Sequence, residues 1–597
     1  MKTYKERTQD ILARAQEQKA RRHKIRLASV AAVCMSALIA LNLVLFLPYS
    51  DAYPSLSAYR DSEYYSLMQT LNKLTYTPSP YKNNFDAWFG GLFDGLHGKG
   101  ETDMGDAVDV SPESPYEEVT NNQTEGVIEG DLFKRTDEYI FYLNVSLSQC
   151  VLQCYTVAGD NSALCGTFTV SADGEKDSFP SPDTAEMYLS EDGTRVTIFT
   201  SVWLREEQAR YTAVIGLNVS DPANVCEQGR TYLSGNYVTS RSIDGDFLLI
   251  NQFNVRNNPD FSDESQFLPQ YGERENMQSV AMDDIVCPED ARTARYTVLC
   301  RIDGESYGAE YSCAFLSYAQ EVYVSAENAY LTRAYSGTQE GIRETKTEIC
   351  RVSLAGDTLS VAGTYDVSGT VKDQYSMDEK DGTLRVATTL SRQGVTNAGV
   401  YIFSVDNFSL LGKLENFAPD GEEVTAARFD GDTAYVCTAY IVHFTDPVYA
   451  IDLSDPAHIT FRDTGTIDGY SFTLFPFFNG SLVGIGYGDT RDTLKVEVYL
   501  ETQDGVVSDA KYLLFDCEFS EEFKAHLLDA EEGLVGLHVL DYASEIQSYY
   551  LLLRYDGYEL NEVCKVPVTG NPDRTRACIV EETLYVSSED GFAVAAL

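Results

Sequence analysis

Asp-Gly pairs flanked by short runs of alternating apolar residues recur over most of this chain, and no other feature narrows its fold as far. Asp192-Gly193 lies between Tyr188-Leu189 and Val196-Thr197-Ile198-Phe199, and Asp430-Gly431 lies between Arg428-Phe429 and Ala434-Tyr435-Val436. Further copies stand at Asp173-Gly174, Asp244-Gly245, Asp381-Gly382, Asp556-Gly557 and Asp590-Gly591. Asp-Gly tolerates the positive φ angles that a two-residue hairpin turn requires, and the alternation on either side buries one face of each strand. Long helical periodicity is missing, with 520–530 the one short candidate. Short antiparallel hairpins without helices between them leave sandwich arrays, a β-helix or a propeller. Residues 118–597 are too many for one sandwich and suit about seven or eight four-stranded blades. The pattern therefore predicts an all-β main domain over 118–597, a β-propeller.

The N-terminus obeys different physics. Residues 1–26 carry nine Lys or Arg against three acids, and 27–47 then run 21 residues without a charge. At about 1.5 Å per residue such a helix spans the hydrocarbon core of a bilayer, roughly 30 Å. The positive-inside bias keeps 1–26 in the cytoplasm and everything after Pro48 outside, which predicts a single-pass plasma-membrane protein with an uncleaved signal anchor. The rival is a cleavable signal peptide with Ser50 and Ala52 at its processing site, against which the length of the apolar run weighs. Leu56, Tyr59, Tyr64, Leu67, Met68, Leu71 and Leu74 recur at helical intervals, so 48–117 reads as one amphipathic helix followed by a Gly- and Pro-rich flexible linker.

Composition excludes several functions. A net charge of -47 argues against nucleic acid as a ligand, because phosphate-rich partners need clustered Lys and Arg, while 44% apolar residues argue against disorder. Of thirteen cysteines, twelve follow the apolar run; their even number permits disulfides outside the cytoplasm, and scattered positions such as Cys437 after Tyr435-Val436 fit buried core equally well. Six histidines build no paired spacing with cysteine, so a structural zinc has no sequence support.

The segment Thr120-Asn121-Asn122-Gln123-Thr124-Glu125-Gly126-Val127-Ile128-Glu129-Gly130-Asp131-Leu132-Phe133-Lys134 resembles the opening signature of a bacterial family of secreted or membrane-tethered proteins with a C-terminal β-propeller distantly related to WD repeats. Three later stretches resemble it in the same order: Ser376-Met377-Asp378-Glu379 with Asp381-Gly382-Thr383-Leu384-Arg385-Val386-Ala387-Thr388-Thr389; Thr445-Asp446-Pro447 with Ile451-Asp452-Leu453-Ser454-Asp455-Pro456; and Leu482-Val483-Gly484-Ile485-Gly486-Tyr487. The resemblance implies a fold and a location, and the family has no general activity to carry over. The chain departs from the family pattern at Ile128, where an acid is usual, and at Phe475 and Phe523, where histidines are usual.

On a strand, Glu125, Val127, Glu129, Asp131 and Phe133 share one face. Glu125, Glu129 and Asp131 are thus candidate ligands for a hard cation such as calcium; the plainer alternative is that they bond to backbone and Lys134 during blade closure. Ser220-Asp221-Pro222 and Ser454-Asp455-Pro456 follow strand-like runs and read as equivalent blade corners. No nucleophile elbow, zinc-protease helix or phosphate loop is present. A binding or scaffolding module that recognises extracellular protein or cell-wall components fits these observations best. The alternative is an extracellular hydrolase of polysaccharide or wall polymer with paired carboxylates, for which 92 Asp and Glu offer too many pairs to single one out.

Overall fold

The backbone turns where the Asp-Gly pairs stand: Asp244 and Gly245 have φ of 53° and 89°, and Asp381 and Gly382 have 49° and 72°. Each pair closes a hairpin, joining Asn236–Ile243 to Asp246–Asn254 and Met377–Lys380 to Thr383–Arg392. The computed structural model describes residues 56–75 and 122–597, apart from 146–148, 172–179, 205–206, 289–290, 318, 340, 357, 441–446, 465–467, 503–504 and 544–545.

Arrays of blade size, antiparallel but for the short pairing of Ile285–Val286 with Ala314 and Phe315, follow one another among the described residues through 133–170, 180–234, 236–315, 322–368, 377–415, 423–463, 470–515, 517–567 and 576–596, here called blades 1 to 9, with 270–279 a hairpin added to the sheet of blade 2. Blades 4 and 5 share a sheet through the single pairing of Glu344 with Arg392. Blade 9 has three strands among the described residues. Among the described residues the count exceeds the expected seven or eight, some blades being short: blade 5 takes 377–415 and blade 9 only 576–596.

No one sheet joins the blades; apolar clusters do. Tyr188 and Phe199 of blade 2 pack with Phe247 and Leu249 of blade 3, and Phe475 and Val483 of blade 7 with Val535 and Leu537 of blade 8. Ala577, Leu584 and Val586 of blade 9 pack on Tyr550 and Leu552 of blade 8, while Cys578 and Tyr585 on its other face join Phe141 and Leu152 of blade 1. The succession thus returns to its start, as a propeller requires.

The two Ser-Asp-Pro segments are equivalent corners, as predicted. Asp221 accepts the Ala223 amide hydrogen at 3.2 Å and Asp455 that of Ala457 at 3.0 Å. Each corner lies on the outer strand of the preceding blade, where a glycine admits it. A Cβ at Gly166 of blade 1 would stand 1.8 Å from the Pro222 carbonyl oxygen, and one at Gly412 of blade 5 would stand 1.8 Å from that of Pro456.

The described residues of 66–597 make up one compact unit. The helix predicted over 56–74 is shorter, Tyr65–Thr75, with a 3-10 turn at Ser57–Tyr59 ahead of it. Its Leu67, Met68 and Leu71 are buried, and the Thr70 hydroxyl meets the Cys287 thiol. The expected tail 1–26, anchor 27–47, linker 76–117 and domain start at 118 lie outside the described residues; among those described, no helix is long and apolar enough to cross a membrane. The helix candidate at 520–530 is only a 3-10 turn, Phe523–Ala525. All twelve described cysteines are free thiols. Burial alone pushes Cys150 up to about 12, and burial is the main cause of the same rise at Cys578, so both are protonated, inert core residues.

Candidate functional site

Blade first strands meet at the middle of the ring, and the opening signature passes among them. Gln123 donates from Nε2 to the carbonyls of Gln374 and Met377 at 3.1 and 2.9 Å, at the entry to blade 5. The Thr124 hydroxyl lies 3.4 Å from that of Tyr323 in the first strand of blade 4. Val127–Glu129 then pairs antiparallel with the first strand of blade 3, Val127 opposite Ile243 and Glu129 opposite Arg241. Asp131 and Met187 of blade 2 exchange backbone hydrogen bonds of 3.2 and 2.8 Å. Two residues later the chain becomes the first strand of blade 1, Phe133–Arg135. Between Gln123 and Phe133 the chain thus meets blades 5, 4, 3, 2 and 1 in turn, along their inner strands.

Two glycines make the path possible. Gly126 turns with φ of 75°. Gly130 lies against blade 2, where a Cβ would stand 2.8 Å from Glu186 Cβ and 3.0 Å from the Tyr188 hydroxyl.

Cations from other blades answer the acids of the signature. Glu129 is buried and faces Arg241 at 3.6 Å and Lys524 at 3.8 Å, and it accepts from Gln374 Nε2 at 3.0 Å. Asp131, also buried, accepts from Arg576 Nε at 2.7 Å and from the Leu132 amide at 2.6 Å. Lys524 further donates to the Gly130 carbonyl at 2.9 Å and to Glu186 at 3.0 Å. Burial draws the Lys524 ammonium toward neutrality, but Glu186, Glu129, Glu522 and Asp131 outweigh it and hold the group above the ordinary lysine range. Arg241 shows the same balance, burial opposed chiefly by Glu129.

The three predicted metal ligands do not converge. Glu125 is exposed, Glu129 and Asp131 have protein cations as counter-ions, and among the described residues no group of three or more His, Cys, Asp and Glu is gathered to hold a metal. Of the plainer alternative, the backbone bond is seen, from the Leu132 amide to Asp131; the 3.1 Å bond that Lys134 donates goes to the Glu129 main-chain carbonyl and not to a carboxylate. Phe475 is buried between blades 7 and 8, and Phe523 reaches the centre, where its ring lies edge-on to Tyr375 at 5.9 Å. Arg241, Lys524 and Arg576 escaped the sequence reading because single cations scattered over more than three hundred residues carry no local pattern.

An open cleft of about 490 Å³ lies where blade 7 passes into blade 8, lined by Tyr487, Arg491, Asp492, Cys517, Glu518, Phe519 and Tyr542. Its floor is aromatic, with the Tyr487 and Phe519 rings 5.1 Å apart. The half-exposed Tyr542 is fixed at two points: its hydroxyl donates to Glu518 at 2.8 Å and its amide to the Asp516 carbonyl at 2.7 Å. The Tyr487 hydroxyl is held by Glu521.

A family model described as a beta propeller domain matches residues 118–597. An uncharacterized protein of Archaeoglobus fulgidus is 28% identical over 284 residues, covering 47% of this chain and 42% of its own. The uncharacterized protein MJ1554 of Methanocaldococcus jannaschii is 38% identical over 137 residues, covering 22% and 21%. The chain thus spans less than half the length of these curated relatives in its matched part. Among solved structures, Kluyveromyces lactis Hsv2 aligns with a TM-score of 0.31 at 9% identity, over 62% of this chain and 96% of that one.

Proposed function

This chain belongs to the beta propeller domain family, and we propose that it is a membrane-anchored binding or scaffolding module that displays its propeller outside the plasma membrane to recognise an extracellular protein or cell-wall component. The observation that carries the binding part is the occupied centre: the chain's own signature fills it, and its acids are neutralised there by Arg241, Lys524 and Arg576. The rim and the faces are left for a partner, and irregular outer surfaces on a rigid scaffold are where binding residues concentrate. The location rests on the basic 1–26 segment and the uncharged 27–47 run that follows it. A bacterial envelope is the setting that the family resemblance suggests.

The test uses the full-length chain in its own membranes. Protease added outside intact cells should remove the propeller and leave a fragment the size of the anchor. Detergent-solubilised full chain should be retained by washed envelope material in a saturable way without releasing fragments from it. A propeller protected in intact cells rejects the location; release of soluble wall fragments replaces the binding module with the hydrolase.

A further inference from the structure

The cleft between blades 7 and 8 is built from a restricted set of groups: an aromatic floor, a half-exposed tyrosine at the edge, one guanidinium and two carboxylates. Tyr542 presents its ring to solvent yet is not loose, because Glu518 and the Asp516 carbonyl hold it from two sides. Holding a partly exposed ring in place spends conformational freedom before any ligand arrives, and it leaves a flat apolar face ready for stacking. In the floor, Phe519 is itself packed against Phe472 at 6.2 Å and Tyr487 at 5.1 Å, so the floor cannot collapse into the cleft.

The polar groups around this floor narrow the ligand. Arg491 and Asp492 stand exposed on the turn after Tyr487, and the exposed Glu518 belongs to the same lining. A guanidinium offers paired donors and a carboxylate paired acceptors, and together they match adjacent hydroxyls, each of which both donates and accepts. Glu518 already accepts from Tyr542 and Asp492 from the Thr490 hydroxyl, each with acceptor capacity left over, and a purely apolar side chain would use none of it. A polyanion would meet two lining carboxylates and a chain of net charge -47. What satisfies floor and rim at once is a neutral ring with one apolar face and hydroxyls around its edge.

We propose that this cleft is a saccharide-binding site that takes a neutral sugar ring of an oligosaccharide, stacked on Tyr542 with its hydroxyls held by Arg491, Asp492 and Glu518. The proposal names the ligand class for the binding module put forward above and rests on that reading.

The test is calorimetric titration of detergent-solubilised full chain with four neutral tetrasaccharides, of N-acetylglucosamine, glucose, galactose and mannose, alongside tetragalacturonate and an apolar peptide with a free C-terminus. At least one neutral tetrasaccharide should bind saturably at one site with Kd below about 1 mM, and Tyr542→Ala should weaken it at least tenfold, about 1.4 kcal/mol. Arg491→Gln, an exposed change, should weaken it at least fivefold with the same melting temperature. Absence of binding by all four neutral sugars, tighter binding of the galacturonate or the peptide, or wild-type affinity in both variants would overturn the proposal. Retention on envelopes separates the two readings: if Tyr542→Ala and Arg491→Gln chains are retained as well as wild type, the module binds but not through this cleft.

Discussion

Arg576, in the first strand of blade 9, donates its Nε hydrogen to Asp131 at 2.7 Å across 445 residues of sequence. Both side chains are buried, and the bond ties the entry to blade 1 to the blade that completes the ring. Removing one partner of a buried pair strands the other charge without solvent. Asp131→Ala should therefore cost about 3–5 kcal/mol in denaturant unfolding. Adding Arg576→Met should recover part of the loss, since no unpaired charge then remains. A single variant as stable as wild type would show that the ring closes without this pair.

Gly130 argues for the same path on steric grounds. A Cβ there would stand 2.8 Å from Glu186 Cβ, which cannot swing aside because Glu186 is held by Lys524 at 3.0 Å and by the Tyr237 hydroxyl. Gly130→Ala should destabilise by about 1–3 kcal/mol through overpacking, although alanine is the smallest possible addition. Gly431→Ala has open space around its Cβ and only a φ of 53° to bear, so it should cost less. Equal melting temperatures for the two variants would remove the close-approach argument.

The hairpins were legible because Asp-Gly encodes a turn locally, and the corners at Pro222 and Pro456 were legible for the same reason. The signature was legible as something special, but not as the filling of the centre. Alternation holds for Val127–Glu129, buried, half-buried and buried, and then fails, because every residue from 130 to 135 is surrounded on both sides. Two-fold alternation carries no signal for a segment that is packed on both of its faces. Whether the carboxylates Glu129 and Asp131 face a bound cation or the protein has no local signature, because the cations they meet, Arg241, Lys524 and Arg576, stand far from them in sequence. The cleft at Tyr542 was illegible for another reason: its residues are ordinary strand-end aromatics and turn acids until blade packing brings them together.

Acid should loosen the fold through two buried histidines. Burial pulls His526 and His538 down to about 4 from the ordinary 6.5. The unfolded chain therefore takes up protons near pH 6.5 that the folded chain refuses until about pH 4. Stability is full above 6.5 and falls as pH drops through that window, by about 2 kcal/mol per histidine between pH 7.5 and 5. His538, which bonds Thr575 at 2.7 Å and Ser548 at 2.8 Å, allows an isolating variant. His538→Gln should show a smaller drop than wild type over this range in urea titrations. An equal drop would assign the acid sensitivity elsewhere.

Glu497 works in the opposite sense and shows what a fully enclosed charge requires. It and Lys495 are completely buried 3.1 Å apart in blade 7, with Tyr499 donating to Glu497 at 3.0 Å and Lys511 reaching its other oxygen at 3.0 Å. Burial pushes the carboxyl upward, but Lys495, the Ser508 hydroxyl and Lys511 together hold it below the ordinary range. A depressed carboxylate stabilises the fold above its unfolded pKa, and the gain is lost as pH falls through the folded value. Glu497→Gln keeps the shape and removes the charge, which leaves the Lys495 ammonium buried against a neutral amide. The expected cost is about 3–5 kcal/mol at pH 7, shrinking toward zero at acid pH, where wild type has itself lost the charge. Lys495→Met made together with Glu497→Gln should be more stable than Glu497→Gln alone, because two enclosed neutral groups cost less than one enclosed charge. If the double variant is the weaker of the two, the lysine is held by something other than its partner.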